Sequence, residues 1–142
     1  MTLFSDRIVV APTDLSEFSV SAIKAAVELA SGREWIRVVH VMPIIEPLLI
    51  EGVWTTEDEA GRLLQFQKNV QEFLELNQFS DLLFEIRAGN PGVEITNFAS
   101  EIHAALIVIP SHGSGMLERL LLGSTTDRVV HLAHCPVLVL RQ

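Results

Sequence analysis

At 142 residues, nearly half of them apolar, the chain is long enough for one hydrophobic core and too short for two, and disorder is excluded. Its formal net charge of −8 repels phosphate backbones, and no run of Lys and Arg offsets this, so nucleic acid is not an expected partner. The single cysteine, Cys135, excludes an intramolecular disulfide and is the usage of a reducing compartment.

The first apolar run, residues 8–11, is too short for a signal segment or a membrane span. With the cysteine usage it predicts a soluble, cytoplasmic protein with no membrane partner. The run is β-branched and stopped by Pro12, so it reads as a buried strand. Asp14 and Glu17 form an Asp-x-x-Glu pattern like a capping box. After it, Val20, Ile23, Val27 and Ala30 recur at helical spacing until Ser31-Gly32. Residues 35–41 are a second strand.

Residues 42–53 hold Pro43, Pro47 and Gly52 and read as a long apolar loop, a lid over a site or a surface for a partner. Thr55 or Thr56, followed by Glu57, Asp58 and Glu59, opens a helix to about Leu76, with acids at the positive end of its dipole. Its apolar stripe is Leu63, Phe66, Val70, Phe73 and Leu74. Residues 82–87 are a third strand. Asn90-Pro91 is an N-cap with proline at the first helical position, and Ile95, Phe98, Ala99 and Ile102 continue that helix. Residues 105–109 are a fourth strand, stopped by Pro110. Residues 125–134 read as a last helix and 137–140 as a fifth strand.

Strands alternating with helices predict a single α/β domain spanning residues 1–142: an open, five-stranded, mostly parallel sheet with helices on both faces. Ligands of such sheets bind beyond the carboxyl ends of the strands, where strand order reverses. The loops after strands one, two and four lie there.

The loop after strand four carries the chemistry. Gly113 lets a ligand approach backbone, and Gly123-Ser124 stand where a helix begins and free N–H groups point outward. With the hydroxyls of Ser124, Thr125 and Thr126 they form an anion nest. No Gly-Lys-Ser/Thr is present, so this is not a P-loop, and Gly113-x-Gly115 lacks the third glycine of a dinucleotide fingerprint. The same glycines also suit ordinary turns.

These residues resemble the universal stress protein family, whose nucleotide-binding members carry Gly-x2-Gly-x9-Gly-Ser/Thr after the fourth strand. Gly113, nine residues, then Gly123-Ser124 match the second half of that pattern. Pro12-Thr13-Asp14-Leu15-Ser16-Glu17, His40-Val41 and Cys135-Pro136-Val137-Leu138-Val139 are similar to other family landmarks, so the resemblance covers the whole chain. It departs at Pro110, where the pattern has its first glycine, and at Ala105, often Asp in the family.

The resemblance implies a Rossmann-like fold of the adenine nucleotide alpha hydrolase type and an ATP, ADP or AMP ligand. Pro12, Thr13 and Asp14 would line the adenosine end, Asp14 near the ribose or a metal. Val41 would meet adenine, and Ser111, His112, Gly113, Ser114 and Gly115 would wrap ribose and phosphates. Gly123, Ser124 and Thr125 would hold the outer phosphates. Mg²⁺ or Mn²⁺ would accompany the nucleotide. Pro110 fixes φ and removes a donor, which would weaken such a site. The resemblance further implies a homodimer through residues 137–140.

No catalytic residue is assigned. His112 reads as a hydrogen-bonding loop residue, His131 and His134 as dipole-compatible surface histidines, and Cys135 as a buried inert thiol. The functions left open are a nucleotide-dependent regulatory stress-response module, a slow ATPase, and a nucleotide-independent dimeric interaction protein.

Overall fold

The computed structural model describes residues 3–44, 56–113 and 121–141. The proposed lid, Ser114 and Gly115 fall wholly or mostly outside them.

Five strands form one sheet in the order β3-β2-β1-β4-β5, and all four pairings are parallel. They are β1 (Val9–Pro12), β2 (Ile36–Met42), β3 (Leu83–Ala88), β4 (Leu106–Pro110) and β5 (Val137–Leu140). The helices are α1 (Glu17–Leu29), α2 (Thr56–Leu76), α3 (Pro91–Glu101) and α4 (Ser124–Leu132), with a 3₁₀ turn at Arg33–Trp35.

The two-residue period of the strands sorts the core into two layers. Val9, Ala11, Val38, Leu106 and Val108 pack against Ala22, Ile23 and Ala26 of α1 and Val70 and Leu74 of α2. Val10, Val39, Val41, Ile107 and Ile109 pack against Ile95, Phe98 and Ala99 of α3 and Val129 of α4. This is why β1 and β4 are apolar without alternation: helices cover both faces. Each fully buried Val or Ile contributes about 1.5–3 kcal/mol, so aliphatic residues supply most of the core, with Phe79 and Phe98 added to it.

β3 and β5 are the edges, and β1 is the centre. From β1 the chain moves outward to β2 and β3, then returns to the other side of β1 as β4. The reversal therefore falls between β1 and β4. Their pairing covers only Val9↔Leu106 and Val10↔Ile107, so the two strands separate toward their carboxyl ends.

One cap is as predicted and one is not. Asn90 accepts a hydrogen bond from the Val93 amide at 3.2 Å, with Pro91 opening α3. The Asp14–Glu17 capping box does not form. Ser16 is the N-cap of α1, without a side-chain cap bond, and Glu17 is already the first helical residue. The reason is Leu15, whose φ of +68° turns the chain left-handed before the helix can start.

Candidate functional site: a cleft at the fork of the sheet

The left-handed Leu15 costs about 1–2 kcal/mol, and a chain of hydroxyls holds it. Thr13 Oγ1 accepts from the Leu15 amide at 2.9 Å and lies 2.7 Å from Ser19 Oγ. Ser19 Oγ donates to Ser16 O at 2.8 Å, so its proton is committed and the Thr13 hydroxyl donates to it. The Thr13 amide donates to Val39 O at 2.9 Å. Asp14 is left at the surface of this loop, its Oδ1 accepting from the amide and hydroxyl of Ser16.

His40 braces the same loop from β2. Its Nδ1 lies 2.8 Å from Thr13 O, a carbonyl that only accepts, so Nδ1 carries the proton. Nε2 is then a lone-pair acceptor; it is buried and has no partner among the described residues. Leaving such an atom unpaired costs about 1–3 kcal/mol. The ring stacks near Phe66 at 5.5 Å between centroids.

Across the fork, β4 delivers Pro110. The amides of Ile107 and Ser111 donate to β5, to Pro136 O at 3.0 Å and Leu140 O at 2.7 Å. With the alternation of a strand, the nitrogen of residue 110 faces the other way, toward β1, where pairing has already ended. Proline therefore breaks no ladder bond there. It does remove a donor from the fork.

α4 is pinned to this strand end by two bonds. The buried Thr126 hydroxyl donates to Pro110 O at 2.7 Å, and the Gly123 amide donates to Ser111 O at 2.8 Å. Gly123 and Thr126 still line the cleft, but this amide and this hydroxyl are committed to β4. The amides of Ser124 and Thr125 remain at the helix start, where Gly123 supplies no side-chain cap. Gly123 has a packing reason as well: a Cβ there would stand 3.1 Å from His112 Cα. A Cβ on Gly113 would run into the Asp14 carboxylate, so the two loops meet at that point.

The result is a cleft of about 370 Å³ lined by Pro12, Thr13, Asp14, Val41, Pro110, Gly113, Gly123, Ser124 and Thr125. Nine residues predicted as a site thus come together from three loops. Ser111 and His112 do not line it. Both are buried, with Ser111 Oγ 3.1 Å from His112 Nδ1 and the imidazole against Phe18. The cleft also takes Ser19, Val39, His40, Pro91, Ile95 and Ile109, which sequence reasoning missed. Spacing marks Ile95 and Ile109 only as helix and strand positions; that they reach the cleft wall depends on the fork.

The apolar wall of Val39, Val41, Ile95 and Ile109 suits a flat ring, and the bare start of α4 suits an anion. Among the described residues that line the cleft none is a lysine or arginine, so amides, hydroxyls and the helix dipole are what that part of the wall offers a phosphate. Among the described residues no three His, Cys, Asp or Glu groups are placed to hold a metal ion. His131 instead hydrogen-bonds Asp127 O at 2.7 Å, and burial pushes the half-buried Cys135 thiol up, away from thiolate reactivity.

A parallel sheet with its cleft at the point of strand reversal places the protein in the doubly wound α/β class. Within that class, the chain belongs to the universal stress protein family, whose profile matches residues 6–141. It is 36% identical over 143 residues to universal stress protein MJ0531 of Methanocaldococcus jannaschii, covering 94% of this chain and 81% of that one. Protein MJ0577 of the same archaeon has a solved structure that superposes with a TM-score of 0.74 at 27% identity, covering 96% of both chains. A universal stress protein solved in complex with cAMP has the same fold, with a TM-score of 0.63 at 18% identity over 94% of this chain and 95% of that one. Among the described residues no helix is long and apolar enough to cross a membrane.

Proposed function

We propose that the cleft binds an adenine nucleotide, ATP above all, and that its occupancy is the signal of a regulatory stress-response module. The carrying observation is convergence. Residues 12–14, Val41, Pro110, Gly113 and residues 123–125 are far apart in sequence, yet they face one apolar-walled cavity of a size suited to a small molecule. Adenine packs on Val39, Val41 and Ile109, ribose lies by Asp14, and phosphates face the amides of Ser124 and Thr125. The solved complex of a family member with cAMP supports an adenine nucleotide as the ligand class.

A divalent cation, Mg²⁺ or Mn²⁺, accompanies the phosphates in this reading. Asp14, the one carboxylate among the described lining residues, is a fit partner for a metal that arrives with the nucleotide. It would offset phosphate charge in this acidic chain. Slow ATP hydrolysis is a variant of the same reading and would need a water- or hydroxyl-activating group near the outer phosphate, for which Asp14 and the hydroxyls of Ser124 and Thr125 are the described candidates. Pro110 favours one alternative, a nucleotide-independent dimeric protein, because it removes a donor from the fork.

The test is direct. Purified protein is denatured and the supernatant analysed by mass spectrometry for retained nucleotide, and ATP with Mg²⁺ is titrated calorimetrically. Retained nucleotide or saturable binding is expected. Neither, with folded protein, favours the dimeric alternative; steady phosphate release favours the ATPase.

A further inference from the structure

We propose that Arg128 is a further phosphate-binding residue of the cleft, held in place by Gly92; this rests on the nucleotide reading above. Arg128 lies four residues after Ser124 and three after Thr125, so the three share one face of α4. Ser124 and Thr125 line the cleft. Thr126 and Val129 are buried against the sheet and fix the rotation of the helix. Helical side chains lean toward the N-terminus and cover the preceding turn, which here is the turn that starts at the cleft.

The stem of Arg128 has a seat. A Cβ built on Gly92 would lie 2.6 Å from Arg128 Cβ, 2.7 Å from Cγ and 2.9 Å from Cδ. The whole aliphatic stem therefore lies flat on the bare backbone of Gly92, beside Pro91, which lines the cleft. A side chain on residue 92 would meet Arg128 Cβ, which its own backbone fixes, and so would push α4 away from α3. A seated stem loses less freedom when its head takes a ligand.

The head is uncommitted. In a chain of net charge −8, Arg33, Arg37, Arg62 and Arg87 each make hydrogen bonds to carboxylates or carbonyls. Arg128 makes no hydrogen bond, ion pair or ring contact among the described residues. A cation at the middle of a helix also gains nothing from the dipole, unless an anion sits at the helix start. The outer phosphates of a nucleotide at Ser124 and Thr125 are such an anion, and a guanidinium binds them in bidentate fashion. Arg128 thus supplies a positive side chain where the described lining residues carry none.

The experiment compares Mg-ATP with adenosine, by calorimetry, on the wild type, Arg128→Gln and Gly92→Ala. Arg128 is exposed, so Arg128→Gln is expected to keep its fold. Its ATP affinity is expected to fall about tenfold with adenosine affinity unchanged, and its salt dependence to flatten. Gly92→Ala is expected to show the same ATP-selective loss. Wild-type affinity for ATP in Arg128→Gln, or an equal loss for ATP and adenosine, overturns the inference alone. A wild type that binds neither ligand overturns the nucleotide reading and this inference with it.

Discussion

Pro110 is where the chain departs from its family's glycine pattern, and its structural cost is small. Its nitrogen faces the fork, its carbonyl anchors Thr126, and its ring forms part of the cleft wall. The consequence falls on the ligand. Pro110→Gly would return an amide and open space to the fork, so tighter ATP binding is expected in calorimetry. The same change frees the unfolded chain, and a loss of about 0.4–1 kcal/mol in chemical denaturation should accompany it. Weaker or unchanged affinity would show that the missing donor is not a limit on binding. Residue chemistry of this kind was partly legible in the sequence. Gly113 and Gly123 were found by spacing, but the Gly123 amide and the Thr126 hydroxyl turned out to serve Ser111 and Pro110. Sequence spacing tells that such groups are near, not which neighbour takes their hydrogen bond.

At the scale of elements, the cleft depends on how α3 and α4 are held. Arg87 at the end of β3 binds Glu101 through two bonds of 2.8 Å and reaches Glu94 at 3.4 Å, tying α3 to the sheet. That ion pair holds the Glu101 carboxyl below its usual range. A depressed carboxyl contributes stability above its unfolded pKa, about 4.3, and loses it as pH falls through the lower folded value. Arg87→Met is therefore expected to lower Tm at pH 7, with the gap to the wild type closing as the solution is acidified toward pH 3. A gap independent of pH would mean that Arg87 acts only through its packing on Phe98, 5.8 Å from the ring centroid. The start of α3 was readable because Asn90-Pro91 is a local signal that works wherever it stands. The start of α1 was not, because the left-handed turn at Leu15 is imposed by Thr13 and Ser19, and no local rule marks a leucine for that conformation.

For the molecule as a whole, the alternation of apolar strands with amphipathic helices made the α/β class and the five strands legible. The order β3-β2-β1-β4-β5 was not, since strand order is set by packing across the sheet and leaves no trace in any one segment. The second edge has a consequence of its own. Pro136 O and Leu140 O accept from β4, so even-numbered residues of β5 face the sheet and the Val139 amide faces the open side. We propose that this edge pairs with a second copy of the chain, as the family resemblance implies. Val139→Pro removes only the outward donor. Light scattering should find a dimer in the wild type and a monomer in that variant; a variant that stays dimeric would place the contact elsewhere. Ligand binding should also be visible globally. At a hundredfold excess over Kd, Mg-ATP would add about 2.7 kcal/mol of stability.

The nucleotide site is tested most directly by a titration of ¹⁵N-labelled protein with Mg-ATP, followed by amide NMR, which reports residue by residue where the ligand touches this chain. Saturable shifts are expected at Thr13, Asp14, Val41, Gly113, Ser124 and Thr125, with β3 undisturbed. Spectra that do not change, or changes gathered on β3 and α2 instead of the fork, would contradict it.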